Sequence, residues 1–62
     1  MKSVYKLEVV SKSDKEVLIE RYYSTREIAE AAAYQFSKKF SVKLHNLLIY
    51  TFYLDKEENE NV

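Results

Sequence analysis

STREIAEAAAYQFSKKF, residues Ser24 to Phe40, combines a helix start signal with a sustained helical period, and the fold follows from it. Ser24 and Glu27 have the spacing of a capping box, in which the serine oxygen accepts a first-turn N–H and the glutamate reaches back to the cap; Thr25 is the near alternative. Ile28, Ala29, Ala32, Ala33, Phe36 and Phe40 recur at i, i+3, i+4, i+7 and i+8, one apolar stripe on a helix. Arg26, Glu30, Tyr34 and Lys38 fall on the opposite side. Glu27 and Glu30 sit near the start and Lys38 and Lys39 in the last turn, so charge and helix dipole agree. The alanine run in the middle of the stripe lets the helix axis approach a sheet closely.

Before the helix, Ser3 to Ser11 alternates, with Tyr5, Leu7 and Val9 on one side and Lys6 and Glu8 on the other, as in a strand with one buried face. The polar stretch Lys12 to Glu16 carries Ser-Asp and suits a hairpin loop. Val17 to Tyr23, VLIERYY, is the second strand. A loop at Ser13 to Lys15 sets Val9 against Ile19 and Tyr5 against Tyr23, collecting Tyr5, Leu7, Val9, Val17, Ile19 and Tyr23 on the core face. Arg21 then lies near the edge of that face. A slip by one would pair Leu7 with Tyr22 and turn Leu18 inward; the first register keeps Glu20 off the core.

After the helix, SVKLHN connects to Leu47–Leu54, LLIYTFYL, which is β-branched, aromatic and apolar on both faces. The fold class is therefore α+β, a small single-layer antiparallel three-stranded sheet with one helix packed on one face, order β-β-α-β (β 3-11, β 17-23, α 25-40, β 47-54). The expected spatial order is 2-1-3, with a right-handed crossover returning the third strand antiparallel beside the first. Order 1-2-3, with the third strand parallel to the second, is the alternative. Residues 1-54 form a single α+β domain, and 55-62, acidic and polar, are expected to be a disordered tail.

The composition bounds the function. Sixty-two residues bury only about 60% of the unfolded surface, so a lone monomer is marginal. There is no cysteine to supply a disulfide or thiolate metal site, which leaves packing or oligomerisation as the sources of added stability. Ten Lys+Arg balance ten Asp+Glu, so no net field draws the chain to nucleic acid or anionic membrane. The start lacks a signal-peptide pattern and no apolar run spans a bilayer, which gives a cytoplasmic expectation and no membrane. Gly and Pro are both absent, which implies turns made without positive-φ glycines and no Gly-rich phosphate loop; Lys greatly outnumbers Arg, and Tyr, Asn and Ile are well represented, a usage that resembles that of AT-rich genomes, as in many bacteria and their phages.

No catalytic, cofactor or metal constellation stands out. His45 is the single histidine and has no cysteine or second histidine to share a metal, and no nearby nucleophile or orienting acid; a loop residue or polar contact is expected. Ser24, Thr25, Ser37 and Ser41 lack the glycine-dependent turn of a nucleophile elbow. A deep polar pocket around His45 and Glu27 would argue for an enzyme.

One helix covers one sheet face, which leaves a second face richer in apolar groups than solvent favours, and such patches mark interfaces. Leu18, Tyr22, Leu47, Ile49 and Tyr53 are the candidate interface, for a homodimer through the sheet face or the third-strand edge. The tail or the loop before the third strand could also cover that face. The candidate partner or nucleic-acid contacts are Arg21, Tyr23, Arg26, Tyr34, Lys38, Lys39 and Lys43, in two groups at opposite ends of the helix. The reading is a small non-enzymatic protein-interaction module, a homodimer that regulates or inhibits a larger partner. The alternative is a nucleic-acid-binding regulator using the basic and aromatic patch. The acidic end, Asp55, Glu57, Glu58 and Glu60, could imitate a phosphate backbone.

Overall fold

A computed structural model describes residues 2–54; the acidic tail lies outside the described residues. The elements are β1 (Lys2–Ser11), β2 (Val17–Tyr23), α1 (Arg26–Lys39) and β3 (His45–Leu54). They form one sheet in the order β2-β1-β3. Both neighbours run antiparallel to β1. The fold is thus the α+β arrangement expected from the periodicity, with the 2-1-3 order.

The β1–β2 hairpin follows the expected register at Tyr5↔Tyr23 and Val9↔Ile19 but shifts between Val9 and Val10, so that Val10 pairs with Val17. Leu18 is the extra residue of this irregularity. The shift overturns the placement of Val17 on the core face: it stands across from Val10, on the opposite side, and is 45% exposed. The cause lies in the turn. The Lys15 N–H donates to the Ser11 C=O at 2.9 Å and the Ser11 N–H to the Glu16 C=O at 2.9 Å, which leaves a loop of Lys12 to Lys15, one residue longer than expected. Lys15 closes it at φ 63°, and the Glu16 N–H donates to Asp14 Oδ1 at 3.1 Å. In a chain without glycine, a lysine takes the left-handed position that glycine or asparagine usually fills.

The helix is capped by Thr25, not Ser24. Thr25 has extended backbone, and its Oγ1 accepts from the Ile28 N–H at 3.1 Å. The third helical position is then Ile28 rather than Glu27, so no capping box forms. Arg26 Nε meets Glu30 Oε2 at 3.0 Å one turn on, and the Phe40 N–H donates to the Phe36 C=O at 2.8 Å to close the last turn.

The core lies between α1 and the sheet. Leu7, Val9 and Ala29 are fully buried. Ala29, with no side chain beyond Cβ, lets α1 sit close to β1, while Ala32, Ala33, Phe36 and Phe40 are half-buried along the same stripe. Ile28 falls at its margin and is half exposed. No helix is long and apolar enough to cross a membrane among the described residues.

Candidate functional site

Strand alternation sorts the sheet into two faces. Leu7 and Val9 are under the helix, and the register puts Ile49 beside Leu7 and Leu47 beside Val9, so Leu47 and Ile49 belong to the helix-covered face and are half-buried. Tyr53, opposite Ser3, is on the same side and exposed. This corrects their assignment to the uncovered face: β3 is apolar on both sides, and only its register with β1 decides which side the helix covers. Leu18 and Tyr22 do fall on the uncovered side, together with Leu48, Tyr50 and Phe52, which pair with Glu8, Lys6 and Val4.

The uncovered face is an amphipathic surface with an ion-paired centre. Tyr22 (59% exposed), Tyr50 (42%) and Phe52 (45%) surround β1, with Leu48 beside them. In the middle, Lys6 Nζ stands 2.6 Å from Glu20 Oε2 and 2.9 Å from Glu8 Oε2, and 5.9 Å above the Phe52 ring centroid. Glu8 and Glu20 face each other across the strands, a like-charge pair that destabilises a sheet unless a cation bridges it. Lys6 is that cation. Hydrogen bonds to Glu20 and then Glu8 hold its ammonium pKa well above the usual 10.5, so it is charged throughout the physiological range. Lys2, exposed at the start of β1 on the same side, offsets the triad's one excess carboxylate, so the face as a whole is charge-neutral.

The basic and aromatic candidates are dispersed. Arg21 is on the helix side of β2, where its guanidinium Nη1 donates to the Glu20 C=O at 3.1 Å, and Tyr23 is half-buried on the same side. Arg26 is held by Glu30. Lys38 Nζ lies 4.7 Å over the Tyr34 ring centroid, a pair on the outer helix surface, and Lys39 and Lys43 follow in the last turn and the connection. Arg21 and Arg26 are near the start of a 14-residue helix and Lys38, Lys39 and Lys43 near its end, a separation of about 20 Å.

His45 is the first residue of β3 rather than a loop residue. Its Nδ1 lies 2.9 Å from the Ser41 C=O, which can only accept, so Nδ1 carries the proton; its ring meets Phe40 edge-on at 5.2 Å. That is the polar contact anticipated for it. Among the described residues no pocket is present, around His45 and Glu27 or elsewhere, and no group of three or more His, Asp or Glu could hold a metal.

Two residues at the centre of this face, Lys6 and Tyr50, were not singled out from the sequence, nor was Phe52. Lys6 could have been: the favoured Val9–Ile19 register already places Glu8 across from Glu20, two carboxylates that require a shared cation on the same side of β1. In comparison with known proteins, no family model matches the chain, no curated protein matches its sequence and no solved structure matches it.

Proposed function

We propose that this protein is a small non-enzymatic protein-interaction module, a cytoplasmic homodimer that regulates or inhibits a larger partner by presenting its uncovered sheet face. The observation that supports this reading is the exposure of Tyr22, Leu48, Tyr50 and Phe52 around the Lys6 triad. Tyrosine and phenylalanine are the residues that anchor protein interfaces, and a satisfied ion cluster at the centre can select a partner by charge. The face is charge-neutral and its central carboxylates are already paired with Lys6, so the fitting partner surface is apolar with polar groups opposite the triad. The composition agrees with a bacterial or phage source.

The nucleic-acid alternative has weaker support. A sheet that stacks bases needs free cations around its aromatic residues, and here the central cation Lys6 is taken up by two carboxylates, while Arg21, Arg26, Lys38, Lys39 and Lys43 lie off this face.

The test compares partners retained by the immobilised chain and by two variants, Tyr50→Lys with Phe52→Lys, and Lys38→Ala with Lys39→Ala. A protein held by the parent and the lysine-deleted variant but lost by the face variant supports the module. Binding of labelled duplex or single-stranded DNA that falls steeply with salt and disappears with the lysines would replace it by the alternative.

A further inference from the structure

The order β2-β1-β3 leaves two sheet edges, and they are unlike. β2 carries Glu20 and Arg21 and a register irregularity at Leu18, the usual defences of an exposed edge. β3, HNLLIYTFYL, has ten residues and no Lys, Arg, Asp, Glu, Pro or Gly. Such an edge is a template for another strand.

The backbone fixes which groups of β3 are free. The Lys12 N–H donates to the Leu44 C=O at 2.9 Å, in line with the β1–β3 register, so the main-chain groups of this pair point at one another. Antiparallel alternation then turns the main chain of residues 46, 48, 50 and 52 towards β1, and that of Leu47, Ile49, Thr51 and Tyr53 outwards. The next outward N–H, that of His45, is already given to the Ser41 C=O at 2.9 Å. The open ladder therefore begins at Leu47.

We infer that this edge pairs with the same edge of a second copy, antiparallel about a two-fold axis at Tyr50. Leu47 then lies opposite Tyr53 of the second copy, and Ile49 opposite its Thr51. The inference deepens the homodimer of the proposed function and rests on it. Three observations select the occupant and the register. A register centred on Tyr50 uses all four outward residues of each strand, about eight main-chain hydrogen bonds. One centred on Ile49 needs the His45 N–H that Ser41 holds, and one centred on Thr51 matches only Ile49, Thr51 and Tyr53 among the outward residues described. The cross-strand neighbours are uncharged throughout, with Leu48 beside Phe52 and Tyr50 beside Tyr50 on the uncovered face.

The geometry closes. Both helices stand on one side of the joined sheet, and their β1 strands are three strand spacings apart, about 14 Å, wider than the 8–10 Å at which helices touch. The outer edges are the two β2 strands with their charges and irregularity, so assembly stops at two copies rather than continuing into a fibre. The uncovered faces become one six-stranded surface with a doubled aromatic strip.

The test is Thr51→Pro. Its N–H points away from β1, so the substitution removes a donor from the edge and none from the fold. At concentrations on the order of 100 µM, well above a micromolar dissociation constant, light scattering is expected to give about twice 7.4 kDa for the parent chain and 7.4 kDa for Thr51→Pro. If the proline variant does not fold, a synthetic chain N-methylated at Thr51 keeps the side chain and removes the same donor. A parent chain that is monomeric at that concentration overturns both edge pairing and the homodimer, and leaves partner docking on the uncovered face standing. A dimer that survives Thr51→Pro or N-methylation but is lost in Leu18→Lys with Tyr22→Lys overturns the edge pairing and keeps the homodimer.

Discussion

Lys6 and Glu20 meet at 2.6 Å across two strands on the uncovered face of the sheet, and the same ammonium reaches Glu8 at 2.9 Å. The lysine holds together two carboxylates that the β1–β2 register sets directly opposite one another. Removing it by Lys6→Met exposes that repulsion, so the urea midpoint is expected to fall, and to recover when Glu20→Gln is added. The pH dependence has a definite sign. The folded pKa of Lys6 is raised above the unfolded 10.5, so its contribution is complete below 10.5 and declines only as pH rises towards the higher folded value. The difference between parent and Lys6→Met is therefore expected to be constant from about pH 6 to about pH 9; a difference that shrinks across that range contradicts the pairing.

Asp14 contributes to the acid limb. Its carboxylate accepts the Glu16 N–H and a hydrogen bond from Ser11, which lowers its pKa from the usual 3.8. Its contribution is present above 3.8 and is lost as pH falls through the lower folded value. Asp14→Ala is expected to lower stability at neutral pH and to flatten the acid limb of the urea midpoint plotted against pH; an unchanged acid limb would remove Asp14 from the turn.

Lys15 holds a positive φ of 63° at the end of the hairpin loop. Glycine there relieves a steric cost of about 1–2 kcal/mol and gives back part of it through the freer unfolded chain. Lys15→Gly is expected to stabilise by about 0.5 kcal/mol, a rise of about 2–4 °C in Tm. A fall in Tm would show that the turn is built differently.

Thr25→Ala is expected to cost about 1 kcal/mol in chemical denaturation, and Ser24→Ala a few tenths at most, because the Thr25 hydroxyl accepts the Ile28 N–H. Equal costs would restore Ser24 as the cap.

Much of the fold was legible because it rests on period alone. Alternation at Tyr5, Leu7 and Val9 marked β1 and its buried side, and keeping Glu20 off the core selected the Val9–Ile19 pairing that the sheet has. The failures share a cause: the deciding interaction was one residue or one partner away from the pattern. A four-residue loop closed by Lys15 shifts Val17 off the core face, and no glycine signals it. Ser24 and Thr25 are both good caps, and the choice depends on the phase that brings Ala29 onto the sheet. LLIYTFYL is apolar on both sides, so Leu47, Ile49 and Tyr53 could be separated from Leu48, Tyr50 and Phe52 only by pairing with β1. The Lys6 triad needed that register too, although Glu8 and Glu20 were already in view.

The most direct measurement is residue-resolved amide hydrogen exchange along β3 at two protein concentrations. The edge-paired dimer gives slow exchange at Leu48, Tyr50 and Phe52 at both concentrations, and slow exchange at Leu47, Ile49, Thr51 and Tyr53 that is lost on dilution. Fast exchange at those four amides at the higher concentration, with their neighbours still protected, would mean that no strand occupies the edge.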